Sequence, residues 1–131
     1  MRAATTAAVR DAPAANPEEI VAVGGTASNL LKLVPAAALD RTLTRARVRE
    51  ALAILEAEPA AVVSERHRLK LVRARILPAG ALVMEAILDR YSVERIRVSD
   101  AGIREGAILA VAHAGPAWRD RLAELAHGWR S

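Results

Sequence analysis

At 131 residues the chain is one domain's worth of polypeptide, and its 53 % hydrophobic content, with no Phe, two Trp and one Tyr, describes an aliphatic, fine-grained core. The absence of cysteine excludes disulfides, zinc–thiolate sites and thiol nucleophiles, and no apolar run approaches the ~20 residues that cross a bilayer. The formal charge of +4 is local: residues 45–75 hold eight cations against four glutamates, and the rest of the chain balances.

In chain order, residues 2–10 read as a short alanine-rich helix ended by Pro13 and Pro17. Ile20-Val21-Ala22-Val23, bounded by glutamates and Gly24-Gly25, reads as a strand buried on both faces. Thr26 or Ser28 is positioned to cap a helix over 27–33, which Pro35 closes. Thr44 caps a third helix over 45–57, with Val48, Leu52 and Leu55 on one stripe and Pro59 as its stop. Ser64 starts a fourth helix along Leu69, Val72 and Ile76, and Pro78 with Gly80 opens a fifth through Tyr91. Arg95-Ile96-Arg97-Val98 alternates as a half-buried strand. Asp100 then caps a helix over 103–112, Gly115-Pro116 breaks it, and a last amphipathic helix covers 117–127.

Each of the two strands is followed by helix, so the expected core is a parallel pair joined by a long crossover. Two strands do not make a self-sufficient parallel sheet, whose faces and edges must be covered. The sequence therefore reads as a single partial domain, part of a larger α/β sheet, with residues 116–131 as a C-terminal helix.

Three places could carry chemistry. Gly24-Gly25-Thr26 lies between a strand and a helix, where glycine permits positive φ and close backbone approach to an anion. Arg73 and Arg75 precede an apolar segment, and arginine suits bidentate phosphate contact, although residue type alone favours a salt bridge with Glu85 or a neighbouring helix. Asp100 with Arg104 four residues on makes a capped, ion-paired helix start. His67, His113 and His127 are scattered singly, with no metal-ligand spacing. The cations of 45–75 could hold a polyanion, but the shortage of aromatic stacking platforms argues against single-stranded nucleic acid.

Four motifs occur in order: Ala22-Val23-Gly24-Gly25-Thr26-Ala27, Leu43-Thr44, Arg75-Ile76-Leu77-Pro78-Ala79-Gly80-Ala81, and Val98-Ser99-Asp100-Ala101-Gly102-Ile103-Arg104-Glu105-Gly106. Together, over about residues 20–112, they resemble the exopolyphosphatase and guanosine pentaphosphate phosphohydrolase family. The resemblance implies part of a ribonuclease-H-like, actin-like ATPase α/β domain: about two parallel strands with five to six helices, from the C-terminal part of the catalytic core. It implies polyphosphate or a guanosine nucleotide as substrate, with Mg²⁺ serving the complete enzyme. Gly24, Gly25 and Thr26 match a glycine loop near the family's cleft, and Arg75 matches a basic position that reaches the anionic substrate.

The chain lacks the family's Asp-x-Gly-Ser and Asp-x-Gly-Gly-Gly-Ser phosphate loops and its glutamate base, so no residue here is expected to be catalytic and no metal to be held. A cytoplasmic protein, inactive alone, is expected, with no membrane association. The edge of the strand at 20–23 would pair either with an N-terminal catalytic portion or with a second copy. The remaining alternatives are a non-catalytic docking protein using that edge and a basic polyanion-binding module.

Overall fold

A computed structural model describes residues 1–127, with side chains through Leu125. The chain divides into two compact units, Met1–Asp100 and Ala101–Ser131.

The first unit begins with α1 (Arg2–Arg10) and an extended segment through Pro13 and Pro17, then β1 (Ile20–Val23) and α2 (Gly25–Leu31). It continues with α3 (Pro35–Asp40), β2 (Thr42–Thr44), α4 (Arg45–Ala57), α5 (Ala60–Arg66), α6 (Leu71–Tyr91) and β3 (Arg95–Ser99). The expected parallel pair is present: β1 runs alongside β3 with Ile20 opposite Ile96 and Ala22 opposite Val98. A third strand joins it. β2 pairs antiparallel on the far side of β3, Leu43 opposite Ile96, giving the order β1-β3-β2.

Alternation sorts the sheet. Ile96, Val98 and Leu43 are buried with Ile20 and Ala22 packed against the core, whereas Val21, Val23, Arg95 and Arg97 face outward. The sequence expectation that β1 is covered on both faces is thus corrected: Val21 is 41 % and Val23 54 % exposed. β1 is also an edge strand, with β3 as its only neighbour among the described residues.

The core on the inner face is built from Leu30, Leu33, Val34, Val48, Val63 and Leu88, all essentially solvent-free. Thr44 caps α4 as its position suggests, its Oγ1 accepting from the Arg47 amide at 3.3 Å. Thr44→Ala is expected to lower stability by about 1 kcal/mol, read by denaturant melting with an unchanged m-value. At the same corner the Arg47 guanidinium, followed by the Thr42 hydroxyl, holds the Asp40 carboxyl down to about 2.

Several helix boundaries differ from expectation. Pro59 does not merely stop α4; it is the N-cap of α5. Pro78 does not open a new helix: α6 runs through it for 21 residues. The missing N–H costs one bond to the Ala74 carbonyl, but Ala74, Leu77, Ala81 and Leu82 are buried on both sides of the proline. Tertiary burial overrides the local break.

The second unit holds α7 (Ile103–Ala114), a 3₁₀ turn (Gly115–Arg119) and α8 (Leu122–His127). The single helix expected over 117–127 is therefore divided, and positions 128–131 of the expected C-terminal element lie outside the described residues. α7 starts at Gly102, whose amide donates to Glu105 Oε2 at 2.7 Å. That bond, with the Glu105 amide, lowers the Glu105 pKa. Ile103, Gly106, Ala107, Ala110, Trp118, Leu122 and Leu125 line an almost wholly apolar groove of about 560 Å³ inside this unit.

Candidate functional site

The glycine turn sits where β1 leaves the sheet. Gly24 has φ +100° and ψ 179°, a conformation that a side chain would strain, and it serves as the N-cap of α2. Thr26 and Ser28, expected as caps, instead lie inside the helix; Ser28 Oγ donates back to the Gly24 carbonyl at 3.1 Å. Of the pair, Gly24 is thus required by backbone conformation, whereas Gly25 has ordinary space around it.

What borders Gly25 is a guanidinium. A Cβ at Gly25 would stand 3.7 Å from Arg73 Cζ and 3.8 Å from Nη1. Arg73 is exposed and has no ion-pair partner among the described residues. The family resemblance points instead to Arg75 as the basic position toward an anionic substrate. Two residues on, Arg75 lies about 200° further round the axis of α6, on the opposite flank from the turn. The structure therefore brings Gly24, Gly25 and Thr26 together with Arg73 and leaves Arg75 apart. Only the helical phase of α6 relative to α2 separates the two arginines, and no local sequence signal reports it.

The turn is held against α6 by a second glycine. A Cβ at Gly80 would overlap the Thr26 methyl group, so the closeness of α2 and α6 depends on its absence. His67, the residue that ends α5, brings its Nδ1 to 3.2 Å from the Lys32 carbonyl oxygen at the C-terminus of α2. The side chain of Arg73 extends toward the turn.

Charge is distributed unevenly around this site. Of the eight cations in 45–75, four are paired: Arg45 with Asp89, Arg47 with Asp40, Arg49 with Glu85 and Arg66 with Glu58. Arg68, Lys70, Arg73 and Arg75 have no carboxylate partner among the described residues. The uncompensated charge sits in the loop before α6 and its first two turns.

Asp100 is committed elsewhere than expected. It accepts from Arg41 Nη2 at 2.7 Å, while Arg41 Nε donates to the Val98 carbonyl at 3.2 Å. Asp100 therefore ties the end of β3 to the start of β2 and neither caps α7 nor pairs with Arg104. No group of three His, Asp or Glu side chains among the described residues could hold a metal ion. Among the described residues, the donors do not make up a Mg²⁺ site. No helix among the described residues is long and apolar enough to cross a membrane.

A three-stranded α/β sheet with helices packed on it, and an arginine beside a glycine turn at the end of an edge strand, define the class of the molecule. The model of the Ppx/GppA phosphatase family matches residues 1–114, and the chain belongs to that family. It is similar in fold to two crystal structures from Aquifex aeolicus. One is the Ppx/GppA phosphatase in its type II variant, at 21 % identity and TM-score 0.73, covering 83 % of this chain and 39 % of that one. The other is the Aquifex aeolicus member of the Ppx/GppA family, at 20 % identity and TM-score 0.74, covering 88 % and 40 %. The chain therefore spans about two-fifths of the length of these relatives. No curated protein matches the sequence.

Proposed function

We propose that this chain supplies one wall of a phosphoanhydride-hydrolysing site acting on polyphosphate or guanosine pentaphosphate, in the cytoplasm, and is inactive by itself. The observation that carries the reading is the unpaired Arg73 guanidinium beside the Gly24–Thr26 turn in a member of a phosphatase family. Phosphoryl transfer is catalysed mainly by positioning and by stabilising charge on the transferring group. A guanidinium contributes to the second task with two parallel donors. Gly24 and Gly25 leave the backbone bare, so an oxyanion can approach beneath Arg73, and Thr26 adds a hydroxyl one residue on. A general base and the remaining phosphate ligands would come from a complementary portion, which also provides any Mg²⁺ site.

Two measurements test this. Tripolyphosphate binding to the isolated chain, followed by calorimetry at low salt, is expected to weaken about tenfold in Arg73→Ala. In Arg75→Ala it should weaken by less than threefold, the loss of one flanking charge. Equal losses from the two would remove Arg73 from the site and return the role to a diffuse basic surface. Phosphate release from polyphosphate should be absent for the chain alone. It should appear when the preceding part of the Aquifex aeolicus chain is joined to Met1 through a flexible linker.

A further inference from the structure

The two parallel strands end side by side. Val23 of β1 stands opposite Ser99 of β3, so the register carries Gly24 and Asp100 out of the sheet together, at its carboxyl end. Open α/β sheets hold ligands at that end of their parallel strands. Next to the glycine turn lies a pocket of about 250 Å³. Ser28, Leu31 and Lys32 line it from one face of α2, and Ala38, Arg41 and Asp100 complete it. Its polar groups are partly committed. Arg41 gives Nε to the Val98 carbonyl and Nη2 to Asp100 Oδ1, which fixes guanidinium and carboxylate beside each other. Arg41 Nη1 and Asp100 Oδ2 have no partner among the described residues.

Resting on the reading that Arg73 and the Gly24–Thr26 turn hold phosphate, we infer that this pocket takes the guanine base of the same substrate. The chain is then selective for guanosine polyphosphates over inorganic polyphosphate. Three observations select this ligand. The first is reach: Gly25, Ser28 and Lys32 follow one another along α2, which separates the turn from the far end of the pocket by about 10 Å. That is the span of a nucleotide from its phosphates to the edge of its base. The second is lining, because the apolar surface of Leu31 and Ala38 suits the face of an aromatic ring and offers nothing to a bare chain of phosphates. The third is the pairing pattern. An ionised carboxylate only accepts, and guanine sets two adjacent N–H donors, N1 and N2, on one edge. Both can meet Asp100, while O6 on the same edge accepts from Arg41 Nη1. Adenine has a single amino donor there, and its neighbouring ring nitrogen would turn a lone pair toward the second carboxylate oxygen.

Calorimetry on the chain with GTP, ATP and tripolyphosphate as probes tests the assignment. GTP should bind at least about tenfold more tightly than either of the others, the lower range for one well-paired base edge. Tripolyphosphate carries more charge than GTP, so a purely electrostatic surface ranks the two in the opposite order. Asp100→Asn, which replaces one acceptor by a donor at constant size, should bring GTP down to the level of ATP and leave tripolyphosphate binding no weaker. Ala38→Phe fills the pocket from an exposed position and leaves the Arg41–Asp100 pair in place, so it should weaken GTP about tenfold and spare tripolyphosphate. Equal binding of the three probes, lost in Arg73→Ala, keeps the phosphate site and overturns the base pocket. A preference for GTP that survives both substitutions places the base elsewhere and overturns this inference. A preference lost in Asp100→Asn but indifferent to Arg73→Ala keeps the base pocket and overturns the phosphate reading of the turn. Binding of none of the three overturns both.

Discussion

Gly80→Val is expected to lower the stability of the Met1–Asp100 unit by about 3 kcal/mol, toward the upper end of what overpacking a core costs. The first carbon of the new side chain falls on the Thr26 methyl group, so α2 and α6 must separate. Valine is a better helix former than glycine, and that gain of a few tenths of a kcal/mol is too small to offset the overlap. Gly80→Ala is the finer instrument, because helix propensity then offsets a larger share of the overlap and the net loss falls to about 1 kcal/mol. The sign should reverse once the obstacle is gone. In a Thr26→Ser background, which lacks the methyl, Gly80→Ala should stabilise by up to about 1 kcal/mol. A double-mutant cycle by urea melting measures the coupling; additivity within about 0.3 kcal/mol would show that the two residues do not touch. The same separation moves Arg73 away from Gly25, so Gly80→Val should also weaken tripolyphosphate binding at temperatures where the unit is still folded.

Much of this architecture was readable because local and tertiary preferences agree. The apolar run 20–23, the alternation at 95–98 and the threonine cap at 44 each produce the element that their chemistry favours. The readings that failed share a different cause. β2 is three residues, following a left-handed Arg41 and ending on the Thr44 cap, too short for alternation to register. Its pairing is decided by Leu43 meeting Ile96 across the sheet. Pro78 looks like a boundary from its neighbours alone, yet α6 is fixed by burial along its whole length. Exposure of Val21 and Val23 was hidden for a related reason: an apolar strand does not say which of its faces this polypeptide covers. At the site, the sequence placed Gly24, Gly25 and Thr26 at a turn after a strand, as found. Which of Arg73 and Arg75 borders the turn depends on the packing phase of two helices, which emerges only from the assembled core.

The strongest electrostatic prediction concerns Glu85, the one charged side chain buried among the described residues, at 5 % exposure. Burial by itself would raise its pKa. Arg49, whose Nε donates to Oε1 at 3.0 Å, and Arg2, bonded to Oε2, outweigh burial and lower it. A carboxyl whose folded pKa lies below its unfolded value contributes stability at neutral pH, and loses it as pH falls below about 4.5 and through the lowered value. The wild-type chain should therefore weaken in acid, with α1, which buries no residue of its own, the first element to release. Removing one side of the cluster is not equivalent to removing the other. Glu85→Leu leaves two largely solvent-exposed guanidiniums, and it should cost little or nothing near neutrality. Arg2→Met with Arg49→Met leaves a buried carboxylate without a counter-charge, which should cost about 3–5 kcal/mol at pH 7. In that double variant burial alone acts on Glu85, its pKa rises, and the slope inverts: stability should climb as pH falls from 7 toward 5. Urea melts at pH 5 and pH 7 read the sign directly. Parallel pH profiles for the double variant and the wild type would show that the carboxylate is screened by water rather than by Arg2 and Arg49.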